Sequence, residues 1–183
     1  MPRATPAGSR HNRRPPPEVL LAIVSDTHLP RGARRLPDEC VERLRSADVI
    51  LHAGDFVALD VLEEIEALGP PVAAVHGNVD EPDVLMRLPP ARMVDAGGAR
   101  IAMLHDAGAA AGRLERMRRR FPDADAVVFG HSHIPLHETD FDAGFQIFNP
   151  GSPTDRRRQP RHTMGLCRVD GTDLGFELVD LGA

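Results

Sequence analysis

Asp26, His28, Asp55, Asn78, His105, His131 and His133 can all bind a metal ion, and each sits just after a short apolar run. Asp26 and His28 lie in Ser-Asp-Thr-His, Asp55 in Ala-Gly-Asp and Asn78 in Gly-Asn-Val-Asp. His105 lies in Leu-His-Asp, and His131 and His133 in Gly-His-Ser-His. Carboxylates, an amide oxygen and imidazoles make a mixed nitrogen–oxygen donor set without a thiolate. Such a set suits Mn²⁺, Fe, Zn²⁺ or Ni²⁺ and argues against a cysteine-type zinc site or a Ca²⁺ cage. One Asp-x-His or His-x-His carries little weight, because most histidines are surface or hydrogen-bonded residues. The series carries much more: one post-strand loop after another holds the needed residue, mostly beside a glycine. On an extended backbone, side chains at i and i+2 point the same way. Asp26 with His28, and His131 with His133, are therefore each expected to grip one metal region from one side of the chain.

Strands ending along one edge of a sheet must position these loops. Residues 19–24 form a continuous apolar run, as expected of a strand buried on both faces. Residues 37–46 read as a helix with Pro37 in its first turn and Cys40, Val41 and Leu44 on one stripe. Residues 49–51 form a second strand. Residues 59–68 form a second helix, stopped by Gly69-Pro70-Pro71, and residues 72–75 a third strand. Beyond Pro89-Pro90, residues 93–95 and 100–104 flank Gly97-Gly98 as a hairpin. Residues 109–121 read as a helix whose closing Arg118-Arg119-Arg120 complements the negative end of its dipole. Residues 126–129 form a core strand leading into Gly-His-Ser-His. Antiparallel strands follow at 136–141, 145–148, 165–169 and 174–179. Alternating β and α units followed by hairpins predict an α/β fold of two packed sheets with helices outside.

The chain has 183 residues, one domain by length, and is large enough for a substantial core. Residues 18–183 are read as that domain. Residues 1–17, rich in Pro and Arg and lacking an apolar segment, are read as a disordered tail, and His11 within them is given no role. Net charge is −5, which gives no electrostatic footprint for nucleic acid or an anionic membrane. All 22 basic residues are arginine, a composition bias that needs no functional cause. Cys40 and Cys167 have no paired spacing and read as buried reduced thiols, so the expected location is the cytoplasm. No apolar run approaches the 18 or so residues that span a membrane.

The order Asp-x-His, Gly-Asp, Gly-Asn-x-Asp, His, Gly-His-x-His resembles the calcineurin-like metallophosphoesterases. More narrowly, it is similar to their small bacterial and archaeal phosphodiesterase branch, which includes the eukaryotic retromer subunit. Asn-Pro-Gly-Ser at residues 149–152 is similar to a segment of that branch. The resemblance runs from about Val19 to the C-terminus. It implies a four-layer α/β/β/α sandwich of two mixed β-sheets flanked by helices. It also implies two divalent metal ions, Mn²⁺ first, with Fe, Zn²⁺ or Ni²⁺ as alternatives. Asp26, His28 and His133 would hold one ion, Asn78, His105 and His131 the other, and Asp55 would bridge both. Such a pair can clamp a phosphate and generate an attacking hydroxide near neutral pH.

One departure matters. Many superfamily members carry His directly after the Asn, where it contacts substrate; here that position is Val79. Valine cannot donate a proton, which removes general-acid assistance of about 10²–10⁴-fold. Among other polar residues, Asp80 and Asp106 are candidates to receive imidazole N–H groups or to cap their loops. His52 and His76 are expected to hydrogen-bond within the sheet edge, and His137 and His162 to be structural or exposed. Arg31, Arg34 and Arg35 are expected on the solvated surface, with a phosphate fork as the alternative. Asn149 and Ser152 are expected to set a turn. The functional expectation is a phosphodiesterase acting on a small phosphoester substrate. Its alternatives are a protein-interaction scaffold of the retromer-subunit type and a nuclease. A scaffold would be free to lose ligands, and all the ligand positions are filled; the acidic balance and the lack of Trp and Tyr disfavour nucleic acid. The sequence leaves a homo-oligomer open.

Overall fold

The computed structural model describes residues 18–32 and 34–183; the expected tail and His11 lie outside the described residues. The chain runs β1 (Val19–Val24), α1 (Asp38–Ser46), β2 (Val49–His52), α2 (Leu59–Glu66), β3 (Val72–Ala74), α3 (Pro82–Arg87) and β4 (Ala91–Ala96). It continues β5 (Ala99–Leu104), α4 (Arg113–Arg120), β6 (Ala126–Val128), β7 (Leu136–Thr139), β8 (Gln146–Asn149), β9 (Thr163–Asp170) and β10 (Asp173–Asp180).

Two mixed five-stranded sheets result, with orders β10-β9-β1-β2-β3 and β4-β5-β6-β8-β7. In the first, β1, β2 and β3 run parallel while β9 and β10 are antiparallel neighbours. In the second, β5, β6 and β8 run parallel, flanked by antiparallel β4 and β7. Three apolar clusters separate the layers. Leu44 of α1 and Leu62 and Ile65 of α2 pack with Ala22, Val24 and Ile50 on the outer face of the first sheet. Leu21, Ile23 and Leu51 face Ile101, Met103, Val128 and Phe148 between the sheets. Met117 of α4 covers Ala102, Val127, Phe129 and Ile147 on the outer face of the second. Alternate residues of β1 thus enter opposite clusters, as the period of two requires. The α/β/β/α sandwich is the expected architecture.

Strand bounds shift by one or two residues, as at β4, β7 and β9, and two helices differ more from expectation. The last helix begins at Arg113, because Gly112 adopts a left-handed conformation (φ 65°) directly before it. The short α3 was not anticipated; Pro82 and Asp83 in its first turn are ordinary helix-start signals, but its buried face is Val84 alone. Among the described residues no helix is long and apolar enough to cross a membrane.

The arrangement gathers the predicted loops. Asp26 follows β1, Asp55 follows β2, Asn78 follows β3, His105 follows β5 and His131 follows β6. All these strands lie in parallel runs, so their C-terminal ends collect where α/β sheets commonly place ligands.

Candidate metal centre

The ligand loops are stitched together by backbone hydrogen bonds. Asp26 N–H donates to Gly54 O (2.9 Å), His28 N–H to Asp55 O (3.0 Å), and Gly130 N–H to His105 O (2.9 Å). The last bond joins β5 and β6 just beyond their ends. The two sheets meet at Asp26, whose carboxylate accepts the N–H of His131 (3.1 and 3.0 Å) and the hydroxyl of Ser25 (2.7 Å).

The expected extended geometry is not what positions the paired ligands. Asp26 (φ 57°), His28 (47°), Asp55 (61°), His131 (68°) and His133 (57°) all have left-handed backbone. For a residue with a Cβ this costs about 1–3 kcal/mol and persists where the surroundings over-determine it. Each chain turns sharply on leaving its strand, and the inter-loop hydrogen bonds hold the turn. Glycines permit the close approach: a Cβ on Gly77 would overlap the Asp55 carboxylate, and one on Gly130 would overlap the Ser25 hydroxyl.

The side chains converge. Donor atoms of Asp26, His28 and His133 lie within 4.8 Å of one another, as do those of Asp26, Asp55 and His105. His28 Nε2 faces His133 Nε2 at 3.1 Å, and His133 Nε2 lies 3.3 Å from Asp26 Oδ1. Asp55 Oδ2 is 3.6 Å from His28 Nε2 and 3.3 Å from His105 Nε2. Asn78 Oδ1 lies 3.1 Å from His105 Nε2 and 2.9 Å from His131 Nδ1. All the residues expected from the sequence thus form one continuous cluster. Asp26, His28, Asp55, His105 and His133 are buried, His131 is half-buried and Asn78 is exposed.

Tautomers follow from the outer contacts. His105 Nδ1–H donates to Ala53 O (2.8 Å), and His133 Nδ1–H donates to Asp155 O. Both rings therefore turn an Nε2 lone pair into the cluster, alongside carboxylate and amide oxygens. Lone pairs directed at one another across about 3 Å repel unless a proton or cation lies among them, so this donor set fits divalent cations. The charges respond in the same sense. Burial pushes the Asp26 carboxyl up, but in the metal-free protein the His133 and His28 rings, once an Nε2 takes up a proton, outweigh it and hold the group well below the usual carboxylate range. Burial acts likewise on Asp55, and His105 reverses it. Burial depresses His105, yet the neighbouring Asp55 carboxylate raises it overall.

The outer residues resolve the sequence alternatives. Among the described residues Asp80 meets no imidazole. Its carboxylate accepts the N–H groups of Asp55 (3.1 Å), Val57 (2.8 Å) and Gly77 (2.6 Å), which ties the loop after β2 to the loop after β3. Asp106 caps its own loop through Gly108 N–H (2.7 Å). The imidazole N–H groups instead find the carbonyls of Ala53 and Asp155. His52 is fully buried, stacks on Phe56 with ring centroids 3.5 Å apart, and accepts Gly54 N–H at Nδ1 (3.1 Å). Burial lowers its pKa to about 3, so it is neutral. His76 turns Nδ1 to Gly77 O (3.2 Å). His137 is exposed and contacts Gln146, and His162 has a half-buried ring.

The Asn-Pro-Gly-Ser segment is more than a turn. Asn149 Nδ2 donates to Gly130 O (2.8 Å), and Ser152 hydroxyl to Asp26 O (2.7 Å). Thr154 hydroxyl donates to Thr27 O. Residues 149–155 therefore brace the first and last ligand loops from behind. Sequence reasoning missed Thr154 and Asp155; the preceding motif was the available signal. Arg34 pairs with Asp155 and Arg35 with Asp38, so neither reaches the centre. Beside Asn78 and His105 lies a recess of about 270 Å³, lined also by His76, Pro90, Leu104, Asp106 and Arg120.

Fold and site together define an α/β protein with a histidine- and carboxylate-rich centre at the carboxyl ends of its strands. The chain belongs to the calcineurin-like phosphoesterase superfamily, whose domain model matches residues 19–172. A probable metallophosphoesterase of Methanothermobacter thermautotrophicus is 33% identical over 167 residues, covering 90% of this chain and 94% of that protein. Zinc-complexed Vps29 from Entamoeba histolytica superposes with a TM-score of 0.71 at 20% identity, over 89% of this chain and 99% of the other. A novel archaeal phosphodiesterase superposes with a TM-score of 0.66 at 20% identity, over 87% and 99%. The family is one of metal-dependent phosphoesterases.

Proposed function

We propose that the protein is a dinuclear metal-dependent phosphodiesterase acting on small phosphodiesters in the cytoplasm. Asp26, His28 and His133 would hold one cation and Asn78, His105 and His131 the other, with Asp55 shared between them and Mn²⁺ the expected ion. The observation that carries this reading is the position of Asp55 Oδ2, 3.6 Å from His28 Nε2 and 3.3 Å from His105 Nε2. Two cations bound there would supply Lewis acidity toward the phosphoryl oxygens and an activated water near neutral pH.

The chain's own residues do the rest. Asp80 holds the backbone of Asp55 and Gly77, which ties the loop that carries Asp55 to the loop that carries Asn78. Val79 N–H donates to Asp55 Oδ1 (3.1 Å), which leaves Oδ2 turned toward the imidazoles. The Val79 side chain, 41% exposed, offers no proton, so the leaving oxygen departs largely unprotonated or takes a proton from water. The small recess beside Asn78 and His105 supports a compact substrate, since it lies just below the usual range of about 300–1,000 Å³ for ligand pockets.

The test is a panel of phosphodiesters and phosphomonoesters with Mn²⁺, Ni²⁺, Zn²⁺ and Mg²⁺. Bis(p-nitrophenyl) phosphate should turn over readily with Mn²⁺, alkyl diesters very slowly, and rates should fall steeply as leaving-group pKa rises. Turnover of monoesters alone would contradict the diesterase reading. No turnover with any metal would favour the scaffold alternative.

A further inference from the structure

We infer that Arg34 is a positioning residue for the half of the centre built on His133, an inference that rests on the metal-site reading above. Arg34 Nη1 pairs with Asp155 Oδ2 at 3.1 Å. Asp155 accepts His133 Nδ1–H at its carbonyl oxygen and donates its own N–H to the Ser152 hydroxyl oxygen (2.8 Å). Ser152 in turn holds Asp26 O. Arg34 lies only six positions after His28 in the chain. The ion pair therefore closes a ring from His28 through Arg34, Asp155 and His133, and back across the 3.1 Å between the two Nε2 atoms. The carbonyl of Asp155 sets which nitrogen of His133 carries the proton and where the ring points. The guanidinium anchors the residue that carries this carbonyl.

The pair is suited to positioning more than to folding. Its side chains are 34% and 15% exposed, and ion pairs open to solvent contribute little to global stability. Partners that orient a liganding imidazole have a larger effect at the metal, about 10–100-fold in affinity. Arg35 provides the contrast. It pairs with Asp38 at the same 3.1 Å, but both side chains are more than three-quarters exposed, and Asp38 starts α1 away from the centre.

The experiment is Mn²⁺ titration of chelator-treated protein by calorimetry, with thermal melting of the metal-free form alongside. Wild type should show two binding events. Arg34→Gln should weaken one of them about 10–100-fold, leave the other within a few-fold, and leave the metal-free melting temperature unchanged. Asp155→Asn, which keeps the carbonyl but loses the charge, should behave the same way. Arg35→Gln should match wild type. The exchange Arg34→Asp with Asp155→Arg should restore the weakened event. Two wild-type events that Arg34→Gln leaves untouched would overturn the role of Arg34 alone. So would equal weakening of both events with a lowered melting temperature. A wild-type protein that binds no Mn²⁺ would remove the site and this inference together.

Discussion

Asp26, His28 and His133 are all less than 7% exposed, whereas Asn78 is exposed and His131 half-buried at the other end of the same cluster. The buried end is held from several directions: Ser25 and His131 N–H on the Asp26 carboxylate, the Asp155 carbonyl on His133, and Ser152 behind Asp26. At the open end Ala53 O supports His105, whereas among the described residues the side chains of Asn78 and His131 hydrogen-bond only to other members of the cluster, and the recess lies beside them. A centre built this way keeps one half organised by the protein and leaves the other accessible to substrate. In the proposed reading, the cation at the buried end should bind more tightly and exchange more slowly.

Asp55 lies between the two ends, so its loss should have the largest effect. Asp55→Ala should reduce phosphodiesterase activity to background and lower metal content at both positions. Normal turnover in that variant would remove Asp55 from the site. The two ends should then separate on mutation. His133→Ala should cost more metal and more activity than His131→Ala, and measured stoichiometries with the reverse order would invert the comparison.

Asp80 supports the hinge between the ends through bonds that a neutral side chain cannot replace in kind. Asp80→Asn should destabilise the fold by about 3 kcal/mol, since hydrogen bonds to a charged group each contribute roughly 1.5–3 kcal/mol. That corresponds to a drop of roughly 10 °C in melting temperature. An unchanged melt would mean the loops hold their places without it.

His52 gives the smallest effect near neutral pH. Burial holds its folded pKa at about 3, against 6.5 for the ordinary residue. The unfolded chain therefore binds the proton first. The stability is complete above pH 6.5 and is lost as pH falls from 6.5 toward 3. The metal-free protein should lose on the order of a few kcal/mol across that window, and His52→Gln should flatten this part of the profile. Denaturant melts at stepped pH would detect the difference, and identical slopes would contradict it.

At both ends the sequence foretold the ligands better than the backbone that aims them. Every ligand was legible because each follows an apolar run in a motif that includes Gly or Asp. The layers were legible because β1, β2 and β3 alternate with amphipathic helices. The backbone that aims the ligands was not. Left-handed geometry at Asp26, His28, Asp55, His131 and His133 arises from bonds between loops far apart in sequence, such as Asp26 N–H to Gly54 O. For Asp80 the sequence allows an imidazole partner or a loop cap, and the turn at Gly77 selects the second by pointing its carboxylate at backbone amides. Asp155 meets His133 through its backbone carbonyl, which every residue type possesses, so only the preceding Asn-Pro-Gly-Ser motif points to it. The short α3 was missed because only Val84 of its six residues is buried.

The account depends most on a pair of cations shared through Asp55. The direct measurement is hydrolysis of bis(p-nitrophenyl) phosphate by chelator-stripped protein during stepwise addition of Mn²⁺, with bound metal counted at each step. The account predicts negligible rate without metal, a rise with occupancy, and a plateau at two ions per chain. Full activity at one ion per chain, or none at two, would contradict it.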